Sequence, residues 1–174
     1  MTDSGMIHSY IDSPLGDLLI VRRDPDATTG LPGGLTGLYL TTGKHASARR
    51  DDWDRNDAAF DDVGSQLDEY FAGDRRSFDL TLDPVGSVFQ TKVWGALAGI
   101  PYGETTSYGR VAATIGSPSS SRAVGLANGQ NPISIVVPCH RVVGADGSLT
   151  GYGGGLEAKR WLLAHELAHA GLFA

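Results

Sequence analysis

Residues 87–128 punctuate themselves into short helices. Ser87-Val-Phe-Gln90 is a capping-box pattern, in which a serine and the glutamine three residues on satisfy each other's backbone N–H groups. Phe89, Val93, Leu97 and Ile100 then form an apolar face at helical spacing, and Pro101 stops the helix. Tyr108, Val111, Ala112 and Ile115 fall at i, i+3, i+4 and i+7, and Gly116 can close that helix in the left-handed conformation. Ser117-Pro118-Ser119-Ser120 makes a turn, and a second short helix is predicted over about 120–128. Helix, short turn, helix is the pattern of a helix-turn-helix, although many helix pairs that bind nothing share it.

The chain before this region has a different period. Residues 6–12 and 17–22 read as two strands around a Ser-Pro-Leu-Gly turn, and 35–41 as a third after the loop-like 24–34. Phe60, Val63, Leu67 and Phe71 predict a helix over 57–72, and Asp79–Leu82 a further strand. After the helix pair, 133–137 (ISIVV) is a β-branched run that predicts a buried strand ended by Pro138. Residues 147–155 form a glycine-rich loop, and a last helix runs from Leu156 with Leu162, Leu163 and Leu167. The expected class is α/β (α+β). A small N-terminal domain with a short antiparallel sheet, 1–83, precedes a mainly helical domain with the helix-turn-helix, 84–174.

At 174 residues the chain is long enough to bury real cores. It has no run of about 18 apolar residues and no basic-then-apolar start, so the expectation is a soluble cytoplasmic protein without a membrane span. Its net charge of −6 is unevenly spread. Residues 1–83 hold 8 Lys and Arg against 16 Asp and Glu, a net of −8, whereas 84–174 hold 6 against 4, a net of +2. That permits nucleic acid on the second part without demanding it. The single cysteine rules out an intramolecular disulfide and a cysteine metal cluster. Of the histidines 8, 45, 140, 165 and 169, only His165 and His169 stand i, i+4. A zinc site wants further ligands, so no metal is expected.

A lone cysteine after a strand is usually a small hydrophobe. Here Pro138 puts Cys139 at a turn, His140 is adjacent, and Glu166 falls on the apolar side of the last helix, flanked by Leu162, Leu163 and Ala170. A buried carboxylate needs a partner. The alternatives are an exposed Glu166, or one paired with His169. Cysteine, imidazole and carboxylate form the set that generates a thiolate near neutral pH. Adjacent strand residues point apart, so a proton path from Cys139 to His140 calls for a bridging water.

The run Pro138-Cys139-His140-Arg141-Val142 resembles the active-site motif of the O6-alkylguanine-DNA alkyltransferases. The resemblance extends over Phe89-Gln90, Ile100-Pro101-Tyr102-Gly103-Glu104, Ser107-Tyr108, Arg122-Ala123-Val124-Gly125 and Asn131-Pro132. It continues through Tyr152-Gly153-Gly154-Gly155-Leu156 to Trp161-Leu162-Leu163, with the family's internal spacings. The first part resembles the family more loosely, in its Asp12-Ser-Pro-Leu-Gly turn and its Leu67…Tyr70-Phe71-Ala-Gly segment.

The resemblance implies an irreversible, single-turnover transfer of an alkyl group from O6 of guanine in double-stranded DNA, and from O4 of thymine, to Cys139. His140, through a water, and Glu166 would activate the thiol, and Asn131 would fix the turn that holds it. Arg122 would fill the space of the flipped base. Tyr108 would press on the phosphate and donate to guanine N3. The second helix, slim at Ala123, Gly125 and Ala127, would enter the minor groove. Backbone at Cys139 and Val142 would read the guanine amino group. Tyr152 would line the alkyl pocket with Gly153 and Gly154, and Lys159 would polarise it. Some members carry serine where this chain has Gly153, so a side-chain contact to O6 is missing. No cofactor is implied. A monomer is expected, with cooperativity along DNA left open. The rivals are a cysteine hydrolase, a lesion binder without chemistry and a thiol redox sensor. None of them accounts for the spacings of Tyr108, Arg122 and Asn131.

Overall fold

A computed structural model of the chain describes residues 5–24, 33–44 and 49–171. Most of the loop expected at 24–34, and His45, lie outside the described residues.

Three strands, β1 (Met6–Ile11), β2 (Leu18–Arg23) and β3 (Leu35–Leu40), form an antiparallel meander. The two-residue β4 (Asp54–Arg55) adds a parallel edge, giving the order β3-β2-β1-β4. Side chains alternate across β2 as the period of two requires. Leu18 and Ile20 enter the main core, while Leu19 and Val21 pack with Trp53 on the other face. A 3-10 turn (Asp57–Phe60) leads into α1 (Asp61–Ala72). This helix buries Val63, Leu67 and Tyr70, and leaves Phe71 only half-buried.

One helix start was readable from its cap. In α2 (Val88–Ala98), Ser87 Oγ accepts from Gln90 N at 3.1 Å, and Gln90 Oε1 accepts from Ser87 N at 2.8 Å. A short β5 (Thr106–Ser107) opens directly into α3 (Tyr108–Thr114), where Ser107 Oγ accepts from Arg110 N. Gly116 ends this pair's first helix at φ +77°, where any side chain would be strained. Helix α4 (Ser121–Gly129) follows; the turn at 117–120 offered caps, yet the helix starts at Ser120 without a side-chain cap bond. It is tied to α2 by Trp94 Nε1, which donates to Ala127 O at 2.9 Å.

Two expected strands are not strands. Residues 133–137 are buried as expected, yet they form a turn, with Ile135 at φ +71°. A β-branched run is apolar enough for either arrangement, and here the chain must turn back to present Cys139. Within this turn Ile133 makes one bridge to Leu38. Asp79–Leu82 likewise contributes a single bridge, Leu82 to Leu35. Both segments cover the outer edge of β3: Leu35 N donates to Thr81 O and Leu38 N to Pro132 O, each at 2.8 Å. The free edge of the small sheet is therefore closed by backbone from later in the chain. One core cluster runs through both halves, from Ile7 and Leu18 to Val93, Cys139 and Leu162.

The chain then passes a 3-10 turn (Cys139–Arg141), β6 (Val142–Val143), the glycine-rich loop and α5 (Leu156–Ala170). Strand β6 pairs in parallel with β5, which sets Tyr108 beside the cysteine turn. Helix α5 buries Ala158, Lys159, Leu162, His165 and Glu166, whereas Leu156 and Leu167 are exposed. Its inward face is thus more polar than its leucines suggest.

Candidate active site

Cys139 is buried at the start of the 3-10 turn, so the backbone after Pro138 is helical rather than extended. Asn131 shapes the approach. Its amide donates to Val137 O at 2.9 Å, and its carbonyl accepts from Ile133 N at 3.1 Å, which closes the loop just before the cysteine. Burial pushes the Cys139 thiol up to about 11, and the Asn131 amide and the nearby Lys159 charge offset part of that rise. The resting thiol is therefore protonated at neutral pH.

His140 is fully buried, and its Nε2 lies 2.7 Å from Glu166 Oε1. A carboxylate only accepts, so Nε2 carries the proton and Nδ1 holds the lone pair. That Nδ1 is buried without a partner among the described residues. Burial holds the imidazole below its ordinary pKa despite Glu166, which favours the neutral ring.

Glu166 is fully buried on α5 and collects donors from three other elements. Arg141 grips both oxygens, with Nε 2.8 Å from Oε2 and Nη2 2.8 Å from Oε1. Tyr70 of α1 donates its hydroxyl to Oε1 at 2.8 Å, and Gly103 N reaches Oε2 at 3.3 Å. Burial alone would raise this carboxyl, but the bonds from His140 and Arg141 win and hold it well below the usual carboxylate range. His169, the rival partner, instead bonds the His165 carbonyl, while His165 Nε2 bonds the Tyr70 carbonyl. Among the described residues no group of three histidine, cysteine or acidic side chains can hold a metal ion.

Lys159, also fully buried, donates to Val142 O at 2.6 Å and to Thr150 O at 2.9 Å. Burial lowers its pKa, and it stands close enough to favour a thiolate on Cys139. Val142 N in turn donates to the Cys139 carbonyl. Tyr152 is buried, and its hydroxyl makes no hydrogen bond of good geometry. Gly154 passes close behind it: a Cβ there would stand 2.7 Å from Leu40 and 2.9 Å from the Tyr152 ring.

A cavity of about 270 Å³ lies beside Tyr152, between Tyr108, the outer side of α4 at Gly125 and Leu126, and the loop at Gly151 and Gly153. Tyr108 Oη lies 2.6 Å from Thr150 Oγ1 across its rim. Arg122 and Ala123 are exposed near the start of α4, and Gly125 faces the Tyr108 ring. Ala127 does not share that surface. It is buried against α2, where its carbonyl serves Trp94, so its side chain has no access to a groove. It leaves the set expected to face DNA.

Residues 88–168 match the family described as 6-O-methylguanine DNA methyltransferase, DNA binding domain, and 6–84 match that family's ribonuclease-like domain. A methylated-DNA--protein-cysteine methyltransferase of Mycolicibacterium paratuberculosis is 52% identical over 160 residues, covering 92% of each chain. One from Methanosarcina acetivorans is 47% identical over 92% of this chain and 98% of its own. The chain belongs to the 6-O-methylguanine DNA methyltransferase family. Among solved structures, Mycobacterium tuberculosis OGT in complex with DNA superposes with a TM-score of 0.82 at 48% identity, covering 93% of each chain. The family's mixed architecture, a small sheet followed by a mainly helical part, is the architecture seen here.

Within that family frame, two members of the buried cluster had been given no role from sequence. Arg141 stands inside the resembling motif, and its available signal was a charge set between His140 and the apolar Val142-Val143. Tyr70 lies 96 positions from the carboxylate that it meets, and its signals were the i, i+3 spacing from Leu67 and its place in the loosely resembling Tyr70-Phe71-Ala-Gly segment.

Proposed function

We propose that the chain repairs DNA by moving a methyl or larger alkyl group from O6 of guanine, and from O4 of thymine, onto Sγ of Cys139, once per molecule. The observation that carries this is the His140 ring. One nitrogen is committed to a carboxylate, and the other is a buried lone pair without a partner among the described residues, one residue from the only cysteine. A thiol with a pKa of about 11 needs such a base at the moment of attack.

The step balances without a cofactor. The Cys139 proton passes through a water to His140 Nδ1. The S–C bond forms as the C–O6 bond breaks, and the proton finishes on the purine, which leaves as neutral guanine. Glu166 supports the transient imidazolium, and Lys159 the thiolate. A thioether has no leaving group that water can displace under these conditions, so the thiol does not return.

O6 lies within the base stack, so in-line attack needs an extruded nucleotide. Arg122 is exposed at the start of α4 and is assigned to the space that the base vacates. Tyr108 is assigned to the target phosphate and guanine N3, and Ala123 and Gly125 to close approach in the minor groove. Backbone at Cys139 and Val142 reads the amino group, Tyr152 and Gly153 are assigned to the alkyl side, and Gly154 backs the Tyr152 ring. The partner is therefore double-stranded DNA, and the Mycobacterium tuberculosis structure, which is in complex with DNA, supports a DNA partner. Among the described residues no helix is long and apolar enough to cross a membrane, and a cytoplasmic monomer is the setting in which this reading places the chain.

Intact mass after incubation with a duplex containing O6-methylguanine tests the proposal. The expected result is a stoichiometric gain of one methyl group, absent in Cys139→Ser. Folded protein of unchanged mass would overturn it in favour of a lesion binder or a hydrolase.

A further inference from the structure

We infer that Tyr70 is a positioning residue that sets the proton affinity of Glu166, so that the N-terminal part of the chain belongs to the reaction centre. The inference rests on the Cys139–His140–Glu166 reading above. Tyr70 is fully buried on α1, and its hydroxyl meets Glu166 Oε1 at 2.8 Å. The same oxygen accepts from His140 Nε2 at 2.7 Å and from Arg141 Nη2 at 2.8 Å. Three donors thus share one oxygen, and each weakens the pull that the carboxylate exerts on the other two.

The surroundings hold Tyr70 in place. Helix α5 clasps α1 through His165 Nε2, 2.8 Å from the Tyr70 carbonyl, and Trp161 stacks on His165 with ring centres 4.8 Å apart. Phe71, Phe78 and Tyr102 ring the phenol within about 6 Å. Burial, and then Glu166, push the phenol well above its ordinary pKa, so it stays a donor at any working pH.

The other charged and titratable groups around the carboxylate are Arg141 from the cysteine turn, the Tyr102 phenol from the loop after α2 and the Tyr152 phenol from the glycine-rich loop. Around His140 they are Arg141, and Lys159 from α5. None of these changes when the Tyr70 hydroxyl is removed. Glu166 then draws harder on the His140 Nε2 proton, which favours the imidazolium and raises the His140 pKa. Transfer needs a neutral His140, so activity is lost as pH falls through that pKa. The acid limb of the rate profile therefore moves to higher pH.

The experiment is a pH titration of His140 by NMR of 15N-histidine-labelled protein, in the wild type, Tyr70→Phe and Phe78→Leu. The phenylalanine keeps the ring and removes only the donor. Phe78→Leu loosens the same cluster and keeps the donor. The expected result is an upward shift of the His140 pKa by about half a unit or more in Tyr70→Phe alone. The acid limb of alkyl transfer from free O6-benzylguanine should move with it. An unmoved titration, or the same shift in Phe78→Leu, would make Tyr70 a packing residue and overturn the inference. A shifted titration in protein that accepts no alkyl group would instead overturn the functional reading and leave Tyr70 standing.

Discussion

Glu166 has more riding on it than any other buried residue of the site. Replacing it with glutamine leaves the Arg141 guanidinium buried without a counter-charge, and breaking such a pair costs about 3–5 kcal/mol. The cost depends on pH, and the sign follows from the depressed pKa of the carboxyl. A carboxylate of this kind adds stability above its unfolded pKa of about 4.3, and that stability drains away as pH falls toward the folded value. Urea unfolding of wild type and Glu166→Gln should show the full gap at neutral pH and a narrowing gap below about pH 4. A gap that stays constant into acid would mean that the charge contributes nothing. How much of this was legible depended on distance along the chain. Cys139 and His140 are neighbours, and Glu166 betrayed itself as an acid on an apolar face. The choice between burial, exposure and pairing with His169 was open, because nothing in α5 records what docks against it. Arg141 and Tyr70 settle it from elsewhere in the fold. The proton path was read through an extended backbone, and the 3-10 turn at Cys139 removes that premise while leaving His140 Nδ1 unpartnered among the described residues.

Elements were legible where their ends carry chemistry. The capping box at Ser87 and the left-handed Gly116 mark boundaries that any environment would respect. Residues 133–137 carry no such mark. Burial was readable from Ile133, Ile135 and Val137, but the conformation was decided by Asn131 bonding both ends of the loop. Helix α4 shows the same division, with Arg122 and Ala123 outward, and Val124 and Ala127 inward. The slimness that the sequence offered for approaching DNA is therefore shared between two faces. Arg122→Ala tests the outward one. Among the described residues no partner fixes this exposed side chain, so its loss should leave the fold intact. It should slow transfer from a duplex by a clear factor while leaving transfer from free O6-benzylguanine nearly unchanged, because only the duplex needs its base extruded. Single-turnover rates on both substrates check this, and equal slowing on both would remove Arg122 from base extrusion.

The whole molecule is less divided than its sequence. Charge and periodicity split the chain near residue 83, yet β3 is edged by Thr81 and Pro132, and a single core cluster includes residues from the small sheet, α2 and Cys139 itself. Sequence pattern records the period of each segment but not which segment closes another's edge, so this union was not legible. It has a consequence for the product. The Cys139 side chain is 3% exposed and belongs to that cluster. Adding a methyl group overfills a packed site, at a cost of about 1–3 kcal/mol. For a domain of this size, each kcal/mol lowers Tm by roughly 2–4 °C. Because the cluster spans both halves, the loss should shift one cooperative transition instead of melting the C-terminal half alone. Calorimetry on fully methylated protein, with completeness judged by intact mass, should show a single transition lowered by a few degrees to about ten. Benzyl transfer should lower it further, since the larger group displaces more of the cluster. An unchanged Tm after complete alkylation would mean that the site holds room for the product. The spent protein would then be as durable as the active one.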